Sequence, residues 1–205
     1  MMQAEVPNPM TPVPTLEHAD TLHRFSVKLY DRMIRDGTLT DEDRVELLEG
    51  VVYDKMPHNA PHDHAVSQLQ LALILQFRGG YVVRTQSSVT FPSSVPEPDI
   101  AVLPGPAELY ARVRPTAADL LLVVEVSDAT LSRDRGLKQR VYARSKVPVY
   151  WIVNLTDGVV EVYTDPRGGR TPAYRTRTDY RPGDSIPVVI GKKTVGTVPA
   201  FELFP

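Results

Sequence analysis

The sequence predicts a single α/β (α+β) domain in which helices flank a mixed β-sheet. Two apolar runs carry that reading first: Ile100 to Leu103, and the longer Leu120 to Val126, with the β-branched content of a central strand covered on both faces. Segments of helical spacing separate the strand candidates, so a sheet built from them has helices to cover it. The third observation is size. A chain of 205 residues with 42% hydrophobic and 23% charged content holds one core of ordinary dimensions, and a second full domain would be cramped. Residues 21–205 are assigned to that domain, and residues 1–20, rich in proline, to a flexible tail.

Thr21 to Asp36 carries Leu22, Phe25, Leu29, Met33 and Ile34 close to helical spacing, with Gly37 at the expected stop. Val45 to Tyr53 is two short apolar runs around Glu49-Gly50, the pattern of a β-hairpin, and puts Glu46 on its first strand. After a loop from Pro57 to Pro61, a second helix opens at His62 or Asp63 and closes at Gly79-Gly80. Tyr81 to Thr85 and Ser87 to Phe91 are strand candidates by composition, followed by prolines up to the strand behind Asp99. Gly105 to Asp119 reads as connection with one helical turn near Glu108. Beyond the Glu125 strand, Ser132 or Asp134 caps a helix running to about Ser145, with Lys138 and Tyr142 one turn apart on a shared face. Val149 to Val153 and Val159 to Thr164 pair through Thr156-Asp157-Gly158, and a Pro- and Arg-rich section with one last apolar strand finishes the chain.

Composition removes several function classes. No apolar run approaches the roughly 20 residues needed to cross a bilayer, and Met1 to Leu16 lacks the basic-then-apolar order of a secretory signal. A cytoplasmic protein without a membrane partner is expected. Zero cysteines exclude disulfides, thiolate catalysis and sulfur-held zinc, so any metal must take O or N ligands. The net charge of -2 does not advertise a binder of phosphate backbones. Basic residues are nonetheless clustered, from Arg133 to Lys146 and again from Arg167 to Arg181; a solvated face is the default for each of them.

The chemistry centres on Pro96 to Lys138. An unpaired ionised acid within an apolar strand costs several kcal/mol, so Glu125 must be protonated, paired with a cation, or bound to a metal. The plainer reading has Asp99 in a turn hydrogen bond and Glu125 in a buried ion pair with an arginine or Lys138. The metal reading also accounts for Asp99 and Lys138. Mg²⁺ prefers oxygen and takes one or two carboxylates. If the two strands are neighbours, Asp99 and Glu125 lie about 5 Å apart, with Glu46 as a third acid. Lys138 would hydrogen-bond an attacking water or a phosphate oxygen, and desolvation can bring a lysine pKa near neutrality.

These residues fall into an ordered set. Glu46-Leu47-Leu48-Glu49-Gly50, Pro61-His62, Pro96-Glu97-Pro98-Asp99-Ile100-Ala101-Val102, Val123-Val124-Glu125-Val126-Ser127, Lys138 with Tyr142, and Val149-Tyr150-Trp151-Ile152-Val153 follow one another. Together they resemble the Uma2-like family (DUF820) of proposed bacterial restriction endonucleases, a branch of the PD-(D/E)XK nuclease superfamily. The likeness covers about Val45 to Asp165, and Tyr180 to Asp184 is similar to a C-terminal feature of some members. It implies a restriction-endonuclease-like mixed sheet, Mg²⁺ with Mn²⁺ as substitute held by Asp99, Glu125 and Glu46, and hydrolysis of DNA phosphodiester bonds. In the superfamily pattern the lysine stands two residues after the second acid, where this chain has Ser127; Lys138 looks like the migrated lysine.

His62 and Tyr142 are accessory candidates. His62 either contacts phosphate or a metal-bound water, or is a helix-entry residue; Tyr142 either orients Lys138 or packs under the sheet. His58 and His64 with His62 make a weak His-rich metal signal. Trp151 reads as core, and Gln86 as a possible hydrogen-bonding neighbour. Two other functions fit the same chain: an interaction module for nucleic acid or protein without turnover, and a metal-dependent hydrolase of another phosphoester. A homodimer is compatible with double-strand cutting.

Overall fold

The structure, a computed structural model, describes residues 22–77 and 80–205, so the tail assigned to residues 1–20 lies outside the described residues. Helix α1 (Val27–Arg35) begins later than its apolar spacing predicts. Ser26 is extended and its hydroxyl accepts from the Leu29 N–H, while Phe25 N–H donates to the Gly50 carbonyl at 2.7 Å. The backbone ahead of Val27 is thus drawn onto the hairpin turn, and the predicted positions before it are not helical; Thr21 lies outside the described residues.

That hairpin is β1 (Val45–Leu48) and β2 (Val51–Asp54), joined through Glu49 at φ 48° and Gly50 at φ 81°. Two left-handed residues match the twist of a tight hairpin. Gly50 is required for a second reason: a Cβ there would stand 2.9 Å from Arg24 Cβ and 3.1 Å from the Phe25 oxygen. Arg140 and Arg144 reach Glu49 from the far helix at 2.7 and 3.1 Å, and Leu47 packs with Tyr30 and Val95 in a small core of its own.

Helix α2 (Ala60–Gln76) is capped by Asn59, whose side chain accepts from the His62 N–H at 3.1 Å, so it starts two residues earlier than predicted. Strands β3 (Tyr81–Thr85), β4 (Ile100–Pro104) and β5 (Leu122–Ser127) follow in sequence and in space. Ser87 to Phe91 is not a strand. Gln86 turns to φ 44°, and the N–H groups of Val89, Thr90 and Phe91 go to Pro96, Pro115 and Ser94 instead of a ladder. The helical run 131–144 consists of α3 (Leu131–Arg133), a π-helical turn (Asp134–Lys138) and α4 (Gln139–Arg144), and its first turn follows Thr130, ahead of the predicted caps.

Beyond it come β6 (Val149–Asn154), β7 (Val159–Arg167) and β8 (Ala173–Tyr180). A hairpin of β9 (Ser185–Ile190) and β10 (Lys193–Pro199) follows, ahead of a closing 3₁₀ turn (Ala200–Leu203), so the C-terminal section supplies three strands where one was expected. The main sheet has the order β3-β4-β5-β6-β7-β8, with β5 and β6 parallel and every other pair antiparallel. It is mixed because the helical run 131–144 carries the chain back from the end of β5 to the start of β6.

Side chains alternate between two cores, as the strand period requires. Ile100, Val102, Val124 and Trp151 meet Leu69, Leu73 and Phe77 of α2 and the β9–β10 hairpin on one face. Ala101, Leu103, Val123 and Ile152 meet Val141, Tyr142 and Ala143 of α4 on the other. Trp151 is fully buried, as expected. Among the described residues no helix is long and apolar enough to cross a membrane.

Candidate active site

The β4–β5 ladder pairs Ile100 with Val124 and Ala101 with Val123; continued by one residue, that register sets Asp99 opposite Glu125. Asp99 stands at the strand entrance, 8% exposed, and its Oδ2 accepts from the Val126 N–H at 2.8 Å. Its Oδ1 lies 3.2 Å from His62 Nε2 in the first turn of α2. Glu125 is 3% exposed, so each of its oxygens needs a partner. The Tyr142 hydroxyl donates to Oε1 at 2.6 Å, and Lys138 Nζ lies 3.0 Å from Oε2. Lys138 also lies 3.3 Å from Glu46 Oε1, while Glu46 Oε2 accepts from the Glu97 N–H at 3.3 Å. The cation that Glu46 and Glu125 share here is therefore the lysine ammonium.

Local geometry explains how a helical lysine reaches the end of a strand. Lys138 is the last residue of the π-helical turn, and from there its Nζ reaches Glu46 and Glu125. Asp134 secures this turn: its Oδ2 accepts from the hydroxyls of Ser127 and Thr130, both at 2.6 Å, and its carbonyl accepts from Tyr150 at 3.1 Å. At the next position Arg135 reaches Glu161 Oε1 at 2.5 Å. Ser127 thus ties the end of β5 to the turn that carries Lys138.

Burial drives the Glu125 carboxyl well above its ordinary pKa, partly offset by Lys138. Burial alone would lower the Lys138 ammonium, but Glu125, Glu46, Asp134 and Asp99 together hold it well above its usual value. The sequence allowed desolvation to bring the lysine toward neutrality; these four acids push it the other way. Burial opposes ionisation of Asp99, yet the hydrogen bond and charge of His62, the charge of Lys138 and the Val126 N–H keep its pKa low. Burial likewise opposes protonation of His62, and Asp99 and Asp63 outweigh it.

These groups line a cavity of about 110 Å³, whose walls include Glu46, Asp99, Glu125, Lys138, Lys55 and Arg133. A wider cleft of about 440 Å³ adjoins it and shares Lys55, His58, Glu97 and Asp99. Gln86 lies in the second cleft, with its amide nitrogen 3.1 Å from His58 Nδ1. Of its two expected roles Tyr142 takes the packing one, in the core, and its hydroxyl donates to Glu125 rather than orienting Lys138. His64 is exposed. The arginines of the C-terminal section line neither cleft; Arg175 pairs with Asp165 at 3.3 Å, and Arg177 with Asp179 at 2.6 Å. In the sequence Asp134 reads only as a helix cap and Glu97 only as part of the Pro96 to Val102 motif; the structure puts both in the wall of the cavity.

A mixed six-stranded sheet flanked by helices, with Asp99 ahead of β4, Glu125 near the end of β5, and Glu46 and Lys138 brought beside them, defines an α+β protein with an acidic cluster at its sheet. The Uma2 family, described as "Putative restriction endonuclease", matches residues 27–191, and the chain belongs to it. A crystal structure described as a "putative nuclease belonging to DUF820" from Anabaena variabilis ATCC 29413 shares the fold, with a TM-score of 0.69 at 16% identity over 88% of this chain and 97% of the other. No curated protein matches the sequence.

Proposed function

We propose that this protein is a divalent-metal-dependent endonuclease that hydrolyses DNA phosphodiester bonds with water. One observation supports the reading above the rest: three buried acids, Glu46, Asp99 and Glu125, meet a buried lysine at the wall of an open cleft. Such a cluster is a poor device for stability, because desolvation consumes most of the Coulombic gain, and perturbed groups in a cleft mark functional sites. Family membership over residues 27–191 supports the reaction class.

The acids fit an oxygen-loving cation. In this reading Asp99, Glu125 and Glu46 hold Mg²⁺, with Mn²⁺ as substitute. When bound, the ion supplies a water of lowered pKa and offsets negative charge on the phosphate. Lys138 has three N–H donors and directs toward Glu46 and Glu125, so a third is left for a phosphate oxygen or the attacking water. Being held charged, it stabilises negative charge rather than removing a proton. Tyr142 fixes the Glu125 carboxylate, and Val126 N–H fixes that of Asp99. Residues 21–205 form the working unit, the protein acts in the cytoplasm, and two copies pair for double-strand cutting.

The test is plasmid nicking in Mg²⁺, Mn²⁺ or EDTA by wild type, Asp99→Ala and Lys138→Ala, each checked for folding. Metal-dependent cleavage lost in both variants is expected. No cleavage in any metal would move the assignment to an interaction module, and equal cleavage by all three proteins would identify a contaminant.

A further inference from the structure

We propose that His58, His62 and Asp99 form a site for a borderline transition-metal ion, of the Co²⁺ and Zn²⁺ class, that binds there more tightly than Mg²⁺. Each residue offers one ligand atom, and the three atoms lie within 4.8 Å of one another. Ligands bonded at about 2.1 Å stand at most about 4.2 Å apart, so side-chain movement of under about 1 Å closes the set. Two imidazoles and one carboxylate suit a borderline ion, whereas Mg²⁺ avoids nitrogen.

The surroundings are those of a metal site in two further respects. A ligating imidazole is ordinarily oriented by a hydrogen bond at its other nitrogen. His62 faces Asp99 through Nε2 and has Asp63 Oδ1 3.4 Å from Nδ1. The Nδ1 of His58 meets the Gln86 amide, a group that can offer an oxygen or an N–H. The two rings are also pre-aligned, stacked at 4.3 Å and 18° from parallel. Asn59 between them caps α2 and donates to Asp128 Oδ2 at 2.7 Å, which ties the histidine-bearing turn to the loop after β5.

Burial of the set is graded. His62 and Asp99 are buried while His58 is exposed, so the ion would be reached from the cleft and keep open positions toward it. Asp99 belongs to this set and to the all-oxygen set. A softer ion here would therefore alter the metal preference of the proposed cleavage; that consequence rests on the nuclease reading, whereas the site itself does not.

The experiment uses full-length protein stripped with EDTA and dialysed. It is titrated with Co²⁺, Zn²⁺ and Mg²⁺ by calorimetry, and the Co²⁺ series is also followed by visible absorption. One Co²⁺ per chain is expected, at least about tenfold tighter than Mg²⁺, with ligand-field bands. His58→Ala is at the surface and should fold normally by circular dichroism, yet weaken Co²⁺ binding at least about tenfold and leave Mg²⁺ binding unchanged. His64→Ala should change neither. Equal affinity for Co²⁺ and Mg²⁺, unaltered Co²⁺ binding in His58→Ala, or loss of binding in His64→Ala would each overturn the proposal. Tight, His58-dependent Co²⁺ binding without plasmid cleavage in any metal would uphold the site and remove the nuclease reading alone.

Discussion

Replacing Lys138 by methionine keeps most of the side-chain length and removes the charge together with its N–H donors. Glu46 and Glu125, 2% and 3% exposed, would then face each other without their shared cation. Breaking a buried pair by deleting one partner costs about 3–5 kcal/mol. At roughly 2–4 °C per kcal/mol for a chain of this size, Tm should fall by about 6–20 °C at pH 7. The pH dependence has a definite sign. In wild type the Lys138 pKa is raised, so its contribution is complete below the ordinary lysine value and disappears only as pH rises through the folded one. In the variant the penalty comes from ionising Glu125, whose carboxyl burial already raises, without a neighbouring cation to offset it. The deficit should therefore shrink as pH falls toward about 4.3, where unfolded glutamate protonates. Urea unfolding followed by the fluorescence of Trp151, the one tryptophan of the chain and fully buried, measures this directly. Adding Glu125→Gln should recover part of the loss. A deficit below about 1 kcal/mol at pH 7, or one that grows toward acid, would refute the reasoning and show that solvent screens the cluster.

Tyr142→Phe keeps the ring in its core while removing the donor to Glu125 Oε1; about 1.5–3 kcal/mol should be lost, read as a lower urea midpoint at unchanged slope. Burial opposes ionisation of Glu161, but Arg135, Tyr163, Asn154 and Arg177 overcome it and hold its pKa low. Its stabilisation is present above the unfolded value of about 4.3 and lost as pH falls through the folded one, so the Tm gap between wild type and Glu161→Gln should be widest near neutrality and close in acid. Gly50→Ala should cost more than about 1 kcal/mol, since it combines φ of +81° with contact against Arg24 and Phe25. Gly37→Ala, at φ +74° with nothing within 4 Å, should cost less, and the difference in thermal melts isolates the contact.

The sequence by itself determined what depends on neighbouring residues. Runs such as Leu122 to Val126 and Val149 to Val153 are strands because β-branched side chains fit a pleat covered on both faces, and Glu49-Gly50 and Asp157-Gly158 turn where hairpins require it. Those assignments put Glu46 on the first hairpin strand, Asp99 just ahead of β4 and Glu125 within β5. The strand assigned to Ser87 to Phe91 failed because its composition satisfies a pleat while its N–H groups find partners elsewhere. The strands β8 to β10 were underread because Pro and Arg obscure alternation on a solvated hairpin face.

Only the tertiary structure shows which side chains surround Glu125. Its partners, Lys138 and Tyr142, arrive from the helical run 131–144, and Glu46 from a hairpin far earlier in the chain. The same holds for His58 and His62 against Asp99, and for the π-helical turn that carries Lys138, which depends on Ser127, Thr130, Tyr150 and Glu161 together. Backbone preference is set by each residue and its neighbours, whereas the charge state of a buried group is set by whatever packing brings within a few ångströms, at any separation along the chain.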